Sequence, residues 1–193
     1  MAKMNPIEKA FVNSRFQYYL HRWFGLGKFL KKIPPTDYRD ILEIGGGVGT
    51  TAELLAEKYP IARILSTDFD EDSIETANRK GHSANITFQQ ADATKLVFPD
   101  NHFDAAFSIL TFHHIGEFEK ALVELVRTVK KGGDVFIMDI PSASFNFTHF
   151  RKSVVPGLFT KQDLIRLGEK HGLRITDYGG KYLFSLHGKK QNH

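Results

Sequence analysis

The chain has 193 residues, 41% of them hydrophobic and 25% charged. That is enough for one globular domain with a short appendage and too little for two independent catalytic domains. There is no cysteine, which excludes a disulfide framework, a thiolate zinc site, an iron–sulfur cluster and a cysteine nucleophile. The net charge of +4 is uneven: residues 1–40 hold eight Lys/Arg against three Asp/Glu, and the remainder is close to neutral, so the basic excess marks the N-terminal segment alone.

That segment reads as a basic, aromatic helical arm, residues 1–36, ahead of a main domain, residues 37–193. Asn5, Pro6 and Glu8 supply a helix cap, a first-turn proline and a capping-box acid. Ile7, Phe11, Phe16, Tyr19, Leu20, Trp23 and Phe24 then make one broad apolar side, until Gly25 and Gly27 interrupt it and Pro34-Pro35 close it. Three readings stay open. The arm is a lid whose Phe16, Tyr19 and Trp23 wall an active site, a helix docked on the main fold, or an interfacial helix contacting an anionic membrane through residues 5–33. Its shortness and its two glycines disfavour the membrane. No apolar run approaches the ~20 residues of a membrane span, and residues 1–30 lack the apolar stretch of a signal peptide, so a soluble, cytoplasmic protein is expected.

From Asp40 short apolar strands alternate with amphipathic helices. The pattern predicts strands at 41–44, 63–67, 86–89, 103–109 and 134–139, with helices at 50–58, 71–80 and 118–129. Lys130-Lys131-Gly132-Gly133 supplies cationic and glycine stop signals for the third helix. Residues 144–150 alternate aromatics, as a pocket lining or a short buried strand would. A helix over 160–171 follows, then strands at 173–178 and 182–186 joined by Gly179-Gly180 as an antiparallel hairpin. The expected fold is α/β: a Rossmann-like, doubly wound sheet of seven mostly parallel strands, with a C-terminal antiparallel hairpin strand and helices on both faces.

The run Glu43-Ile44-Gly45-Gly46-Gly47-Val48-Gly49-Thr50 places a glycine turn between the first strand and a helix N-terminus, where backbone can approach a ligand closely. Asp68, at the expected end of the second strand, can accept hydrogen bonds from a ribose. Together they point to a nucleoside-bearing cofactor. The dinucleotide fingerprint fails in its natural register because Thr50 stands where the third glycine or alanine belongs, and no P-loop lysine follows. Asp92 either contacts such a cofactor or caps a turn through Thr94.

In order along the chain, these blocks resemble the class I S-adenosylmethionine-dependent methyltransferases, in particular the ubiquinone/menaquinone methyltransferase-like (type 11) branch. Glu43 to Gly49 is similar to the first motif, Asp68 to the ribose-binding acid, and Gln90-Ala91-Asp92-Ala93 to the adenine-binding block. Phe98 to Asp104 resembles the run into the fourth strand, Ser108-Ile109-Leu110-Thr111-Phe112-His113-His114 the segment after it, and Val129 to Gly133 the turn before the fifth, with Lys131 in place of proline. The resemblance implies S-adenosyl-L-methionine as cofactor and S-adenosyl-L-homocysteine as product. It implies a binding set of Glu43, Gly45, Gly46, Gly47, Gly49, Asp68, Phe69, Asp92, Ala93 and Leu110. The acceptor it implies is a small molecule, aromatic or lipophilic.

His113 and His114 stand where an acceptor would lie in such folds, and a neutral imidazole can take a proton near neutral pH. They are the candidate catalytic residues, although one can equally pack against the cofactor or cap the next helix. No third ligand at suitable spacing makes them a metal pair. Nucleic acid is a poor acceptor candidate: pyrimidine C5 methylation needs an attacking cysteine, and no Asn/Asp-Pro-Pro-Tyr motif follows the fourth strand. The competing readings are an NAD-dependent oxidoreductase and a non-catalytic S-adenosylmethionine-binding protein.

Overall fold

The computed structural model describes residues 26–33, 35–141, 158–180 and 183–192. The expected helix of residues 5–24, the aromatic stretch 144–150 and the start of the last strand at Tyr182 lie outside the described residues.

The first described element is helix α1, Leu26–Lys32, which runs straight through Gly27. Gly27 is helical, so the expected interruption is absent at that position, and Gly25 lies outside the described residues. Leu26, Phe29 and Leu30 share one helical face and are buried, and Phe29 packs edge-on to Phe136 and Tyr178. Burying two leucines and a phenylalanine is worth several times the ~1 kcal/mol that glycine costs a helix interior.

Strands β1 (Asp40–Ile44), β2 (Arg63–Asp68), β3 (Ile86–Gln90), β4 (Phe103–Ile109) and β5 (Val129–Asp139) alternate with helices α2 (Thr50–Lys58), α3 (Glu71–Lys80) and α4 (Phe118–Thr128). Helix α5 (Lys161–Lys170), strand β6 (Leu173–Asp177) and strand β7 (Phe184–Lys190) complete the fold. Thr160 and Asp163 cap α5 reciprocally. The seven strands form one sheet in the order β3-β2-β1-β4-β5-β7-β6. Neighbours from β3 to β5 pair parallel, whereas β7 inserts between β5 and β6 and pairs antiparallel with both.

Both faces of the sheet are covered, as the apolar runs of β1 and β4 require. Leu42, Ile44, Ala106 and Ile137 pack with Leu122, Leu125 and Leu164 of α4 and α5. On the other face Ile41, Ile64, Phe107 and Phe136 pack with Leu55 of α2 and with α1.

Two boundaries differ from expectation by more than two residues. Strand β5 begins at Val129, not at residue 134: its pairing with β4 jumps from Phe103↔Val129 to Ala105↔Asp134, so residues 130–133 bulge out of the ladder. Gly133 is needed there because a Cβ would sit 2.6 Å from Asp104 O. Strand β7 runs four residues beyond residue 186, because His187 and Lys189 both bond the buried carboxylate of Asp134.

Candidate active site at the carboxyl ends of β1 and β4

The chain leaves β1 toward β2 and leaves β4 toward β5, on opposite sides. Such a switch point opens a crevice beyond the strand ends. The glycine loop forms one wall. A Cβ on Gly46 would run into Ser66 Oγ and lie 2.8 Å from Glu43 Oε2, and one on Gly45 would run into Thr111. Gly47 has φ +55 and nothing within 4 Å of the position a Cβ would take. Two glycines therefore let protein pack behind the loop, and Gly47 presents bare backbone to open space. Gly49 ends the loop with φ +88 as the residue before α2.

Two carboxylates hold this loop. Asp68 Oδ2 accepts the Gly47 N–H at 2.8 Å and Oδ1 accepts that of Asp70 at 2.9 Å. Burial pushes the Asp68 carboxyl up, Asp70's charge adds to it, and the N–H donors of Asp70, Gly47 and Phe69 oppose it. Glu43 is 1% exposed and accepts from Ser66 Oγ at 2.6 Å. Burial, with the nearby Asp68 charge adding to it, raises its carboxyl to about 7 against the opposing hydroxyls of Ser66 and Thr51. The pair is short of positive charge.

The third acid follows closely, since the Ala91 N–H donates to Asp68 O at 2.9 Å. Asp92 Oδ1 accepts both the N–H and the hydroxyl of Thr94, at 3.0 and 2.7 Å. Partial burial would raise this carboxyl, but those two donors hold it below the ordinary range. The turn-capping arrangement is thus present, and it uses one of the two carboxylate oxygens. Ala93 is 3% exposed, so its side chain belongs to the core and its backbone is what remains to meet a ligand. Phe69 O accepts from Gln90 Nε2, which ties β2 to β3 beside Asp68.

Across the crevice Leu110 takes φ +54, a region a bulky side chain adopts only under strain, and its N–H is held by Met138 O at 2.7 Å. Thr111 follows, with its side chain against Gly45 and its one hydroxyl hydrogen shared between Ile109 O at 3.1 Å and Ile44 O at 3.2 Å. The loops after β1 and β4 are thereby fastened together. A short 3₁₀ turn, Phe112–His114, comes next. His113 Nδ1 lies 2.6 Å from Asp139 Oδ1. Asp139 is fully buried and also accepts the N–H groups of Thr111, Phe112 and Ile140. The His114 ring lies 4.0 Å from that of His113. Burial, with charge on His113 adding to it and the Asp139 carboxylate opposing it, lowers His114 to about 4.

The structure therefore gathers Glu43, the glycines, Asp68 and Asp92 on one side of the switch point and His113 and His114 beyond Thr111. Asp139 escaped the sequence reading. Its one local signal is an acid closing an otherwise apolar strand, Val135 to Met138.

Residues 42–137 match the family described as a methyltransferase domain. A demethylmenaquinone methyltransferase of Thermus thermophilus is 34% identical over 114 residues, 58% of this chain and 50% of the relative. One from Bacteroides fragilis is 27% identical over 173 residues, 81% and 71% of the two chains. This chain spans about half the length of the Thermus relative and 54% of a similar protein from Clavibacter sepedonicus. Among solved structures, an S-adenosylmethionine-dependent methyltransferase from Aquifex aeolicus superposes with a TM-score of 0.76 at 23% identity, covering 96% of this chain and 98% of that one. With the ordered motifs in place on this sheet, the chain belongs to the class I S-adenosylmethionine-dependent methyltransferase family.

Proposed function

We propose that the protein transfers the methyl group of S-adenosyl-L-methionine to a small, lipophilic, ring-bearing acceptor and releases S-adenosyl-L-homocysteine. The observation that carries this reading is the pairing of Gly47, open on its Cβ side, with two carboxylates, Glu43 and Asp68, that are both raised by burial. A cation fits such a place and a pyrophosphate does not: added negative charge would repel both acids, which argues against a nicotinamide dinucleotide.

When bound, S-adenosylmethionine supplies an electrophilic methyl on a positively charged sulfur. The chain's part is to bind and orient. Gly45, Gly46, Gly47 and Gly49 admit the amino-acid end against backbone, and Glu43 faces its ammonium through the loop or a water. Asp68 accepts from the ribose hydroxyls, and Asp92 with the Ala93 backbone meets the adenine edge. Phe69 and Leu110 flank the cofactor. Holding two reactants in line is worth ~7 to 11 kcal/mol, so few chemical groups are needed beyond a proton acceptor on the histidine side.

The ring-bearing acceptor is supported by the demethylmenaquinone and ubiquinone/menaquinone relatives. We keep the division into an arm, residues 1–36, and a domain, residues 37–193, with the arm as lid or docked helix. Nucleic acid and membrane contact are disfavoured on the sequence grounds above. Among the described residues no helix is long and apolar enough to cross a membrane, and a cytoplasmic location is our reading.

Titration calorimetry with S-adenosylmethionine, S-adenosylhomocysteine and NAD tests the core of this. Binding of the first two and not the third is expected. Binding of NAD alone refutes it, and tight S-adenosylmethionine binding without label transfer into any metabolite of a cell extract supports the non-catalytic reading instead.

A further inference from the structure

Away from the crevice, on the face of the sheet that α1 covers, strands β5, β7 and β6 carry a second polar cluster around a cavity of about 270 Å³. Their register puts Asp134, Lys189 and Arg174 in one row and Phe136, His187 and Thr176 in the next. Directly paired residues share a face of the sheet, so both rows stand over one patch, and Tyr38 reaches it from the segment after α1. Asp134 pairs with Ala105, which lies beside Ile41 near the start of β1, whereas the glycine loop begins past Ile44. The five steps of β5 from Asp134 to Asp139 span about 16 Å. The cavity is therefore separate from the crevice at the other end of the strands.

The acid here is satisfied. Asp134 is 5% exposed, and its oxygens accept from His187 Nε2 at 2.7 Å, Tyr38 Oη at 2.9 Å and Lys189 Nζ at 2.9 Å. Burial would raise its carboxyl, but those three bonds hold it below the ordinary range, so it is ionised at neutral pH. Burial and that charge push the Tyr38 hydroxyl up, so it stays neutral. The cations keep free donors. Lys189 Nζ commits one of its three N–H groups to Asp134. Arg174 is exposed and makes no hydrogen bond or ion pair among the described residues, which leaves its rigid fork of donors uncommitted. Two cations against one carboxylate give the lining a surplus of positive charge. Arg174 and Lys189 also stand directly opposite each other across β6 and β7, where like charges repel. An anion between them removes that repulsion, and a cation would add to it.

We propose that this cavity is a second ligand site, taking a small oxyanion, a carboxylate or a phosphate, between the Arg174 guanidinium and the Lys189 ammonium. A guanidinium can bond two oxygens of either group side by side. Thr176 lines the same cavity, and its hydroxyl can donate as well. At about 270 Å³ the space falls short of the ~300 to 1,000 Å³ of pockets for drug-sized ligands, which limits the occupant to the anionic group and a single ring. The site goes beyond the methyltransferase reading and does not depend on methyl transfer.

Amide ¹⁵N spectra of the full chain at low ionic strength, titrated separately with inorganic phosphate, phenyl phosphate, benzoate and neutral benzamide, test this. At least one anion should bind saturably with a Kd of about 1 mM or tighter. Its shifts should centre on Tyr38, Arg174, Thr176 and Lys189 and spare Gly45 to Gly49, and saturating S-adenosylhomocysteine should leave its affinity within about twofold. Benzamide should not bind. Arg174→Gln alters an exposed side chain, so it should keep the fold and weaken the anion at least about tenfold. Lys189→Gln should weaken it similarly, with the thermal midpoint read alongside because Asp134 loses a donor. Tighter binding of the two phosphates assigns a phosphoryl ligand and tighter binding of benzoate a carboxylate, and either supports the site. Shifts centred on the glycine loop, benzamide binding equal to that of benzoate, or unchanged anion affinity in Arg174→Gln overturns it. So does the absence of saturable binding by every anion up to about 20 mM.

Discussion

Glu43→Gln should make the free protein more stable and a worse binder of S-adenosylmethionine, and the pH dependence of each effect is set by one buried carboxyl. Burial raises Glu43 from the ordinary 4.5 to about 7. A folded-state pKa above the unfolded one means the folded state binds the proton more tightly. The wild type therefore loses stability as pH rises from 4.5 through 7, and little further above it. The full span corresponds to about 3 kcal/mol, of which roughly 2.5 kcal/mol falls between pH 5 and pH 8. Glutamine keeps the shape and can still accept from Ser66 Oγ, whose bond to Glu43 is 2.6 Å long. Urea unfolding should find the variant's lead over wild type larger by about 2.5 kcal/mol at pH 8 than at pH 5. Binding should behave oppositely. A bound ammonium or sulfonium favours ionised Glu43, so wild-type affinity should climb through pH 7 with proton uptake by the buffer, while the variant's should be flat and lower. A stability difference equal at the two pH values would refute the argument, because a packing or hydrogen-bond effect of the substitution carries no such slope.

Neighbouring glycines should separate packing from binding. Gly46→Ala drives a methyl into Ser66 Oγ and toward Glu43 and should lower the thermal midpoint, at about 1 to 3 kcal/mol. Gly47→Ala meets no atom, so it should cost only the ~1 kcal/mol of its positive φ while weakening cofactor binding at least about tenfold by calorimetry. Asp68→Ala should cut cofactor affinity by roughly ten- to a hundredfold with the circular dichroism spectrum kept, since it removes charge-assisted hydrogen bonds; unchanged affinity would remove Asp68 from the site. Arg127→Lys should destabilise by about 2 kcal/mol in urea unfolding. Lysine cannot reproduce the fork that bonds Leu96 O, Phe98 O, Asp100 and both oxygens of Glu124.

Much of the sheet was legible because its strands are buried on both faces and its helices amphipathic, so each element declares itself by period and by length. Helices at 50–58 and 71–80 and the strand at 103–109 stand where the pattern put them. Misreadings occurred where a distant partner outweighs local preference. Gly27 looks like a helix breaker until Phe29 finds Phe136 and Tyr178. His187-Gly188-Lys189-Lys190 looks like a polar tail, yet Asp134 receives His187 and Lys189, and Lys190 Nζ donates to Val126 O and Val129 O. Gly188 is needed there too, because a Cβ would come within 2.7 Å of Leu173 Cδ1.

The site divides along the same line. Its proposed cofactor half is local, a strand, a turn and an acid within 25 residues, and the motif carries its own geometry from Glu43 to Asp68. Its proposed acceptor half is assembled by topology. His113 and Asp139 are 26 residues apart, and helix α4 lies between them. What brings them together is the parallel register that sets Ile109 beside Met138. One step past that pair the chains diverge, and Asp139 is left facing the backbone of Thr111 and Phe112. A parallel neighbour is chosen by a crossover and not by a turn, so no spacing rule along the chain announces it. The two adjacent histidines show the consequence: alike in sequence, they differ in surroundings, and only His113 is bonded to the acid at the end of β5.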